Sequence, residues 1–79
     1  FSPFAVVIRR GESVAWAFPR EAHNVIFPKR PDGQPRIAGS PTDILPTTDR
    51  VVARRFDAAG TYPYDCTLHE GMRGEVVVE

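Results

Sequence analysis

Cys66, His69 and Met72 fall at three-residue steps inside one short run, Cys66-Thr67-Leu68-His69-Glu70-Gly71-Met72. The chain holds one cysteine, one methionine and two histidines in all, and the second histidine, His23, lies far upstream in Ala22-His23-Asn24-Val25. A thiolate, two imidazoles and a weak thioether are the donor set of a blue-copper centre, a trigonal His2Cys plane with a long axial Met. Such a set suits an ion that cycles between Cu(I) and Cu(II), because a rigid compromise between their preferred geometries limits what must rearrange when one electron moves. Donors at i, i+3 and i+6 can come from one tight loop, with Gly71 and Gly74 relieving its backbone. The fourth donor must come from another element, because one local loop cannot surround the ion.

Each of these residues has a plainer reading on its own. A lone cysteine in a small domain is an apolar filler, a lone histidine a hydrogen-bonded surface or core residue, and a lone methionine packing. The shared spacing, and the use of every residue of these three types, favour a metal over the plain readings. Zinc takes closed tetrahedral sites without a thioether, so Met72 argues for copper against zinc.

The elements that must position these donors are short strands. The apolar pieces are β-branched and aromatic: Phe4 to Ile8, Ser13 to Ala17, His23 to Phe27, Arg50 to Phe56, Thr61 to Asp65 and Glu75 to Glu79. Turn residues at Arg10-Gly11, Pro28 to Pro35, Gly39 to Pro46, Ala59-Gly60 and Gly71 to Gly74 separate them. No stretch keeps a helical period for three turns. This pattern predicts an all-β sandwich or barrel. Alternation puts Val14, Trp16 and Phe18 on one face, and likewise His23, Val25 and Phe27, and Tyr62, Tyr64 and Cys66. His23 and Cys66 then sit at strand ends, in phase with apolar faces, where one pole of a sandwich can bring them together. The polar, proline-rich stretch from Pro28 to Thr48 is expected to wrap one side as a loop, with one short edge strand or a turn of helix.

At 79 residues the chain is expected to form a single domain over residues 1–79. A chain of this size buries only about 60% of its unfolded surface, and small domains often add a staple. One cysteine makes no internal disulfide, so a metal is the staple available. Ten basic residues balance ten acidic ones, which argues against a nucleic-acid binder and against strong steering toward a charged partner. No apolar run approaches the roughly 20 residues of a membrane span. Arg9, Arg10, Arg54 and Arg55 read as solvated strand surface. Trp16, Phe18, Phe27 and Phe56 read as core, and Tyr62 and Tyr64 as packing around the site.

The matching pieces extend along most of the chain: Phe4 through Gly11-Glu-Ser-Val-Ala-Trp16, then His23-Asn24-Val-Ile-Phe27. Phe56-x3-Gly60-Thr-Tyr-x-Tyr64-x-Cys66-Thr-Leu-His69-x-Gly-Met72-x-Gly74-x-Val76 completes the set. On these the chain resembles the cupredoxins of the plastocyanin type, and its Cys-x2-His-x2-Met loop is similar to that of amicyanin. The resemblance implies a Greek-key β-sandwich with copper held by His23, Cys66, His69 and Met72. It implies that Asn24 pins the ligand loop, with Thr67 as its counterpart. The activity implied is outer-sphere transfer of single electrons, with no enzymatic step. His69 would be the exit, and Leu68 and Gly71 the docking surface. The partners implied are redox proteins of cytochrome, oxidase or dehydrogenase type, and the place periplasmic or otherwise extracytoplasmic.

Two departures from the family pattern stand out. The strand that the family has before the one starting near Phe1 is expected to be missing, so the chain reads as a monomer or as a domain of a longer protein. Glu70 stands where the family often has proline, and puts a carboxylate beside His69. Three other readings stay open at this stage: an electron-transfer domain of a larger redox enzyme, copper delivery or storage without redox cycling, and a structural module with no metal.

Overall fold

The structure, a computed structural model, describes residues 4–69 and 71–79. Seven strands form in chain order: β1 (Ala5–Ile8), β2 (Ser13–Phe18), β3 (His23–Val25), β4 (Ile44–Thr47), β5 (Arg50–Arg55), β6 (Gly60–Asp65) and β7 (Arg73–Val78). All described regular structure is β, as the short β-branched pieces predict. Among the described residues no helix is long and apolar enough to cross a membrane.

Two of the four strand pairings, β1 with β7 and β2 with β5, join strands far apart in sequence. β7 lies between β1 and β6, parallel to the first and antiparallel to the second. β2 pairs antiparallel with β5, setting Trp16 opposite Val52. β3 pairs antiparallel with β4, with an irregularity between His23 and Val25. One further bridge decides where the site forms. Ile26 and Asp65 exchange both backbone hydrogen bonds, at 2.9 and 3.0 Å. That exchange ties the end of β3 to the end of β6, so His23 and Cys66 end up at the same pole.

The sandwich closes over Trp16, Phe18, Val25, Phe27, Ile44, Phe56, Tyr62, Tyr64, Val76 and Val78, all buried. The faces follow the predicted alternation on β2 and β6, which bury every second residue toward the interior. The core rings meet edge to face, with Trp16 against Tyr64 at 5.4 Å and Phe27 against Phe56 at 6.1 Å between centroids, the arrangement that ring quadrupoles favour.

The connection after β3 is held by polar contacts. Asp43 accepts from the Phe27 backbone N–H at 3.0 Å and pairs with Lys29 Nζ at 2.7 Å. The expected short edge strand is β4, beside β3. Arg54 corrects its reading as solvated surface. Its guanidinium donates to the carbonyls of Thr42, Ala53 and Asp43 at 2.9 to 3.0 Å, fastening this connection to β5. Arg55 does face solvent, paired with Asp57 at 2.6 Å.

Candidate metal centre

β3 is short, but all three of its residues are buried. Its first residue, His23, is 8% exposed, and Cys66, just past the end of β6, is 4% exposed. The tie between Ile26 and Asp65 sets their side chains face to face, with Cys66 Sγ 3.8 Å from His23 Nδ1. The loop then turns back on itself. The Cys66 N–H donates to Met72 O at 2.9 Å and the Met72 N–H to His69 O at 3.2 Å. Gly71 supplies the left-handed residue of this turn, at φ 77°, a conformation that costs glycine little. The fold over the loop brings the His69 ring onto the His23 ring, with centroids 4.5 Å apart.

Asn24 anchors the loop from the neighbouring strand. Its side chain donates to Thr67 Oγ1 at 2.8 Å and accepts from the Thr67 N–H at 2.8 Å. Two reciprocal bonds fix both the strand and the residue next to Cys66. This is the pairing the resemblance implied, and Asn24, only 5% exposed, is not an ordinary edge residue. Ligand-orienting bonds of this kind tune a metal site from outside its coordination sphere.

His69 is two-thirds buried and offers Nε2 to two oxygens, Ala22 O at 3.2 Å and Glu21 Oε1 at 3.1 Å. Both partners are acceptors, so a neutral ring carries its proton on Nε2 and keeps the Nδ1 lone pair for a metal. One donor atom each from Glu21, His23 and His69 lie within 4.8 Å of one another. The residues present fit copper. A separation of 3.8 Å between sulfur and nitrogen lets one ion reach both at bonds of about 2.0 to 2.3 Å, and a thiolate with imidazoles is a set that copper favours. Met72 is half-buried and lines a cavity of about 350 Å3 together with His23, Trp16 and Tyr64.

Two sequence expectations need correction. Gly74 does not relieve the loop backbone by a left-handed conformation. It sits inside β7, where a Cβ would lie 2.5 Å from the Tyr64 hydroxyl and 2.8 Å from Phe4 O, so it is required for close approach. Tyr62 does not pack around the site. Its hydroxyl donates to Ala58 O at 2.7 Å, toward the opposite end of β6. Tyr64 packs against Trp16, and burial pushes its phenol up from the usual tyrosine range, partly offset by a hydrogen bond with the Trp16 side chain. Glu70, read from sequence as the carboxylate beside His69, lies outside the described residues. The carboxylate that the structure brings to His69 is Glu21, which sequence reasoning missed. No sequence signal marked it, because it lies in an exposed bend before β3.

The whole chain, residues 1–79, matches the family of copper binding proteins described as plastocyanin/azurin. It is 37% identical to plastocyanin of Scenedesmus fuscus over 87 residues, covering all of this chain and 86% of that protein. It is 40% identical to amicyanin of Paracoccus versutus over 75 residues, covering 94% of this chain and 54% of that protein. The chain thus spans about half the length of that amicyanin. Among solved structures it is similar to the reduced Cu(I) form of an amicyanin variant at pH 4. The TM-score there is 0.79 at 30% identity, covering all of this chain and 72% of the other. The paired strands, the Asn24–Thr67 clasp and the thiol set against an imidazole are thus those of a cupredoxin, and the chain belongs to the plastocyanin/azurin family of type 1 copper electron-transfer proteins.

Proposed function

We propose that His23, Cys66, His69 and Met72 hold the single copper ion, and that the chain passes electrons one at a time between redox protein partners outside the cytoplasm. The observation that carries this reading is the contact at 3.8 Å between Cys66 Sγ and His23 Nδ1, two buried donors from elements far apart in sequence. A bound copper ion supplies one-electron chemistry, alternating between Cu(I) and Cu(II).

The chain's own residues do the rest. His23 and Cys66 hold the ion from the buried side, as imidazole and thiolate, the thiol form being a poor ligand. Met72 would offer a weak thioether that, with the hydrogen bonds around the sulfur, would tune the potential. The Asn24–Thr67 clasp keeps Cys66 in place in both oxidation states, so little rearranges. His69 is more exposed than His23 and Cys66, and its outer edge is the exit for the electron. Leu68, 46% exposed, and Gly71 flank it as an apolar docking surface. A redox partner of cytochrome, oxidase or dehydrogenase type would seat there, and a periplasmic setting suits such exchange. Relatives of this family are electron carriers, and the reading needs no substrate pocket or acid–base pair.

The test is an absorption spectrum of the Cu(II) protein and of Cys66→Ser. An intense visible charge-transfer band that is lost in the variant supports the reading. Weak copper bands alone in the unaltered protein would overturn it, leaving copper handling without electron transfer.

A further inference from the structure

Glu21 has no part in the four-ligand set, yet its carboxylate reaches the outer nitrogen of the most accessible ligand. We propose that Glu21 is a positioning residue for His69: together with Ala22 O it holds the Nε2 proton, fixing the tautomer and ring plane that turn Nδ1 inward. This rests on the assignment of His69 as a copper ligand.

The argument starts from the acceptors. Nε2 lies 3.1 Å from Glu21 Oε1 and 3.2 Å from Ala22 O. A backbone carbonyl cannot donate, and an ionised carboxylate cannot donate either. The only neutral ring that satisfies both is protonated on Nε2. Glu21 and Ala22 directly precede His23, so the turn leading into the strand of the buried histidine supplies the clamp on the exposed one. A metal-bound histidine held through its other nitrogen by a carboxylate is a stronger donor than one facing water. Stronger donation and a nearby negative charge favour Cu(II) over Cu(I), so Glu21 also lowers the potential. The side chain is 72% exposed, which limits the strength of this contact to that of a surface interaction.

The experiment compares the unaltered chain with Glu21→Ala, Glu21→Gln and the remote control Asp57→Asn. Long-range proton–nitrogen NMR of the metal-free proteins at about pH 8, above the ordinary imidazole range, reads the His69 tautomer. The Nε2–H form is expected to dominate in the unaltered chain and to give way to a mixture in Glu21→Ala. Glu21→Gln keeps an oxygen acceptor and is expected to keep the tautomer while losing the charge. In the copper-loaded proteins, Glu21→Ala is expected to weaken metal retention by about tenfold, the low end for ligand-orienting partners. Its potential should rise by up to about 59 mV, a tenfold change for one electron. Salt at about 1 M shortens the screening length to about 3 Å, so the charge part of the potential shift should shrink there, while the tautomer preference, set by the hydrogen bond, persists.

An unchanged tautomer in Glu21→Ala, or a potential shift equalled by Asp57→Asn, would overturn the proposal. If the unaltered protein never turns blue, the copper assignment fails. The metal-free tautomer measurement still decides whether Glu21 holds His69.

Discussion

The two ends of β6 are built on opposite terms. At its start, Tyr62 is fully buried against Phe56, with ring centroids 5.2 Å apart. Its one polar atom is answered by Ala58 O. A Cβ on Gly39 would come within 2.9 Å of Ala58 and 3.0 Å of the Tyr62 hydroxyl, so the space there is filled. Past its end, Cys66 faces His23, buried polar groups gather, and an apolar cavity opens beside Met72. One end is held by contact area, the other by directional bonds between named atoms. The first kind of order resists unfolding; the second keeps ligands at fixed positions, which electron transfer needs.

Substitutions at the two ends should therefore separate stability from spectrum. Phe56→Ala, at the packed end, is expected to cost about 3–5 kcal/mol. That corresponds to about 4–8 °C in Tm per kcal/mol for a domain of this size. The copper spectrum of the fraction still folded should be unchanged, and a thermal melt followed by absorption checks both. Asn24→Ala, at the directional end, leaves the Thr67 N–H without its partner and is expected to cost about 1–3 kcal/mol. It should also weaken copper retention by about 10–100-fold, measured by competition with a chelator. Equal effects of the two variants on spectrum and retention would erase the distinction.

Tyr62→Phe removes one hydroxyl bond at the packed end and is expected to cost about 1 kcal/mol, with no spectral change. Tyr64→Phe gives the smallest effect and a pH signature. Burial raises the Tyr64 phenol above its ordinary value of 10.0, so the folded chain holds that proton more tightly than the unfolded one. Its contribution is intact below pH 10 and is lost as the pH rises through the folded value. Denaturation at pH 8 and pH 11 should show a smaller alkaline loss in Tyr64→Phe than in the unaltered chain.

Much of this could be read from residue order alone, for physical reasons. Period-two alternation located β2 and β6, because one face of each meets the core. The loop from Cys66 to Met72 was legible as a candidate site because its three possible donors are local in sequence. The connection from Pro28 to Thr48 was legible only as a loop with a short strand, since its order comes from Asp43, Lys29 and Arg54, whose partners are set only by tertiary contact. Gly74 was misread because glycine marks both a left-handed turn and a close approach, and only the position of the Tyr64 hydroxyl separates the two. Glu21 was overlooked because an exposed carboxylate carries no pattern of its own until a histidine is folded onto it.

β1 lies beside β7 in parallel register, Ala5 opposite Glu75 and Ile8 opposite Val78. The earliest strand of the sandwich thus waits for the latest. During synthesis Phe27, Phe56 and even Cys66 emerge before the sheet can close, and closing so long a loop slows folding. The domain should appear in one late cooperative step, with few stable intermediates to trap. Removal of Val76 to Val78 would then abolish the whole fold, including the proposed copper site, whose residues all lie upstream.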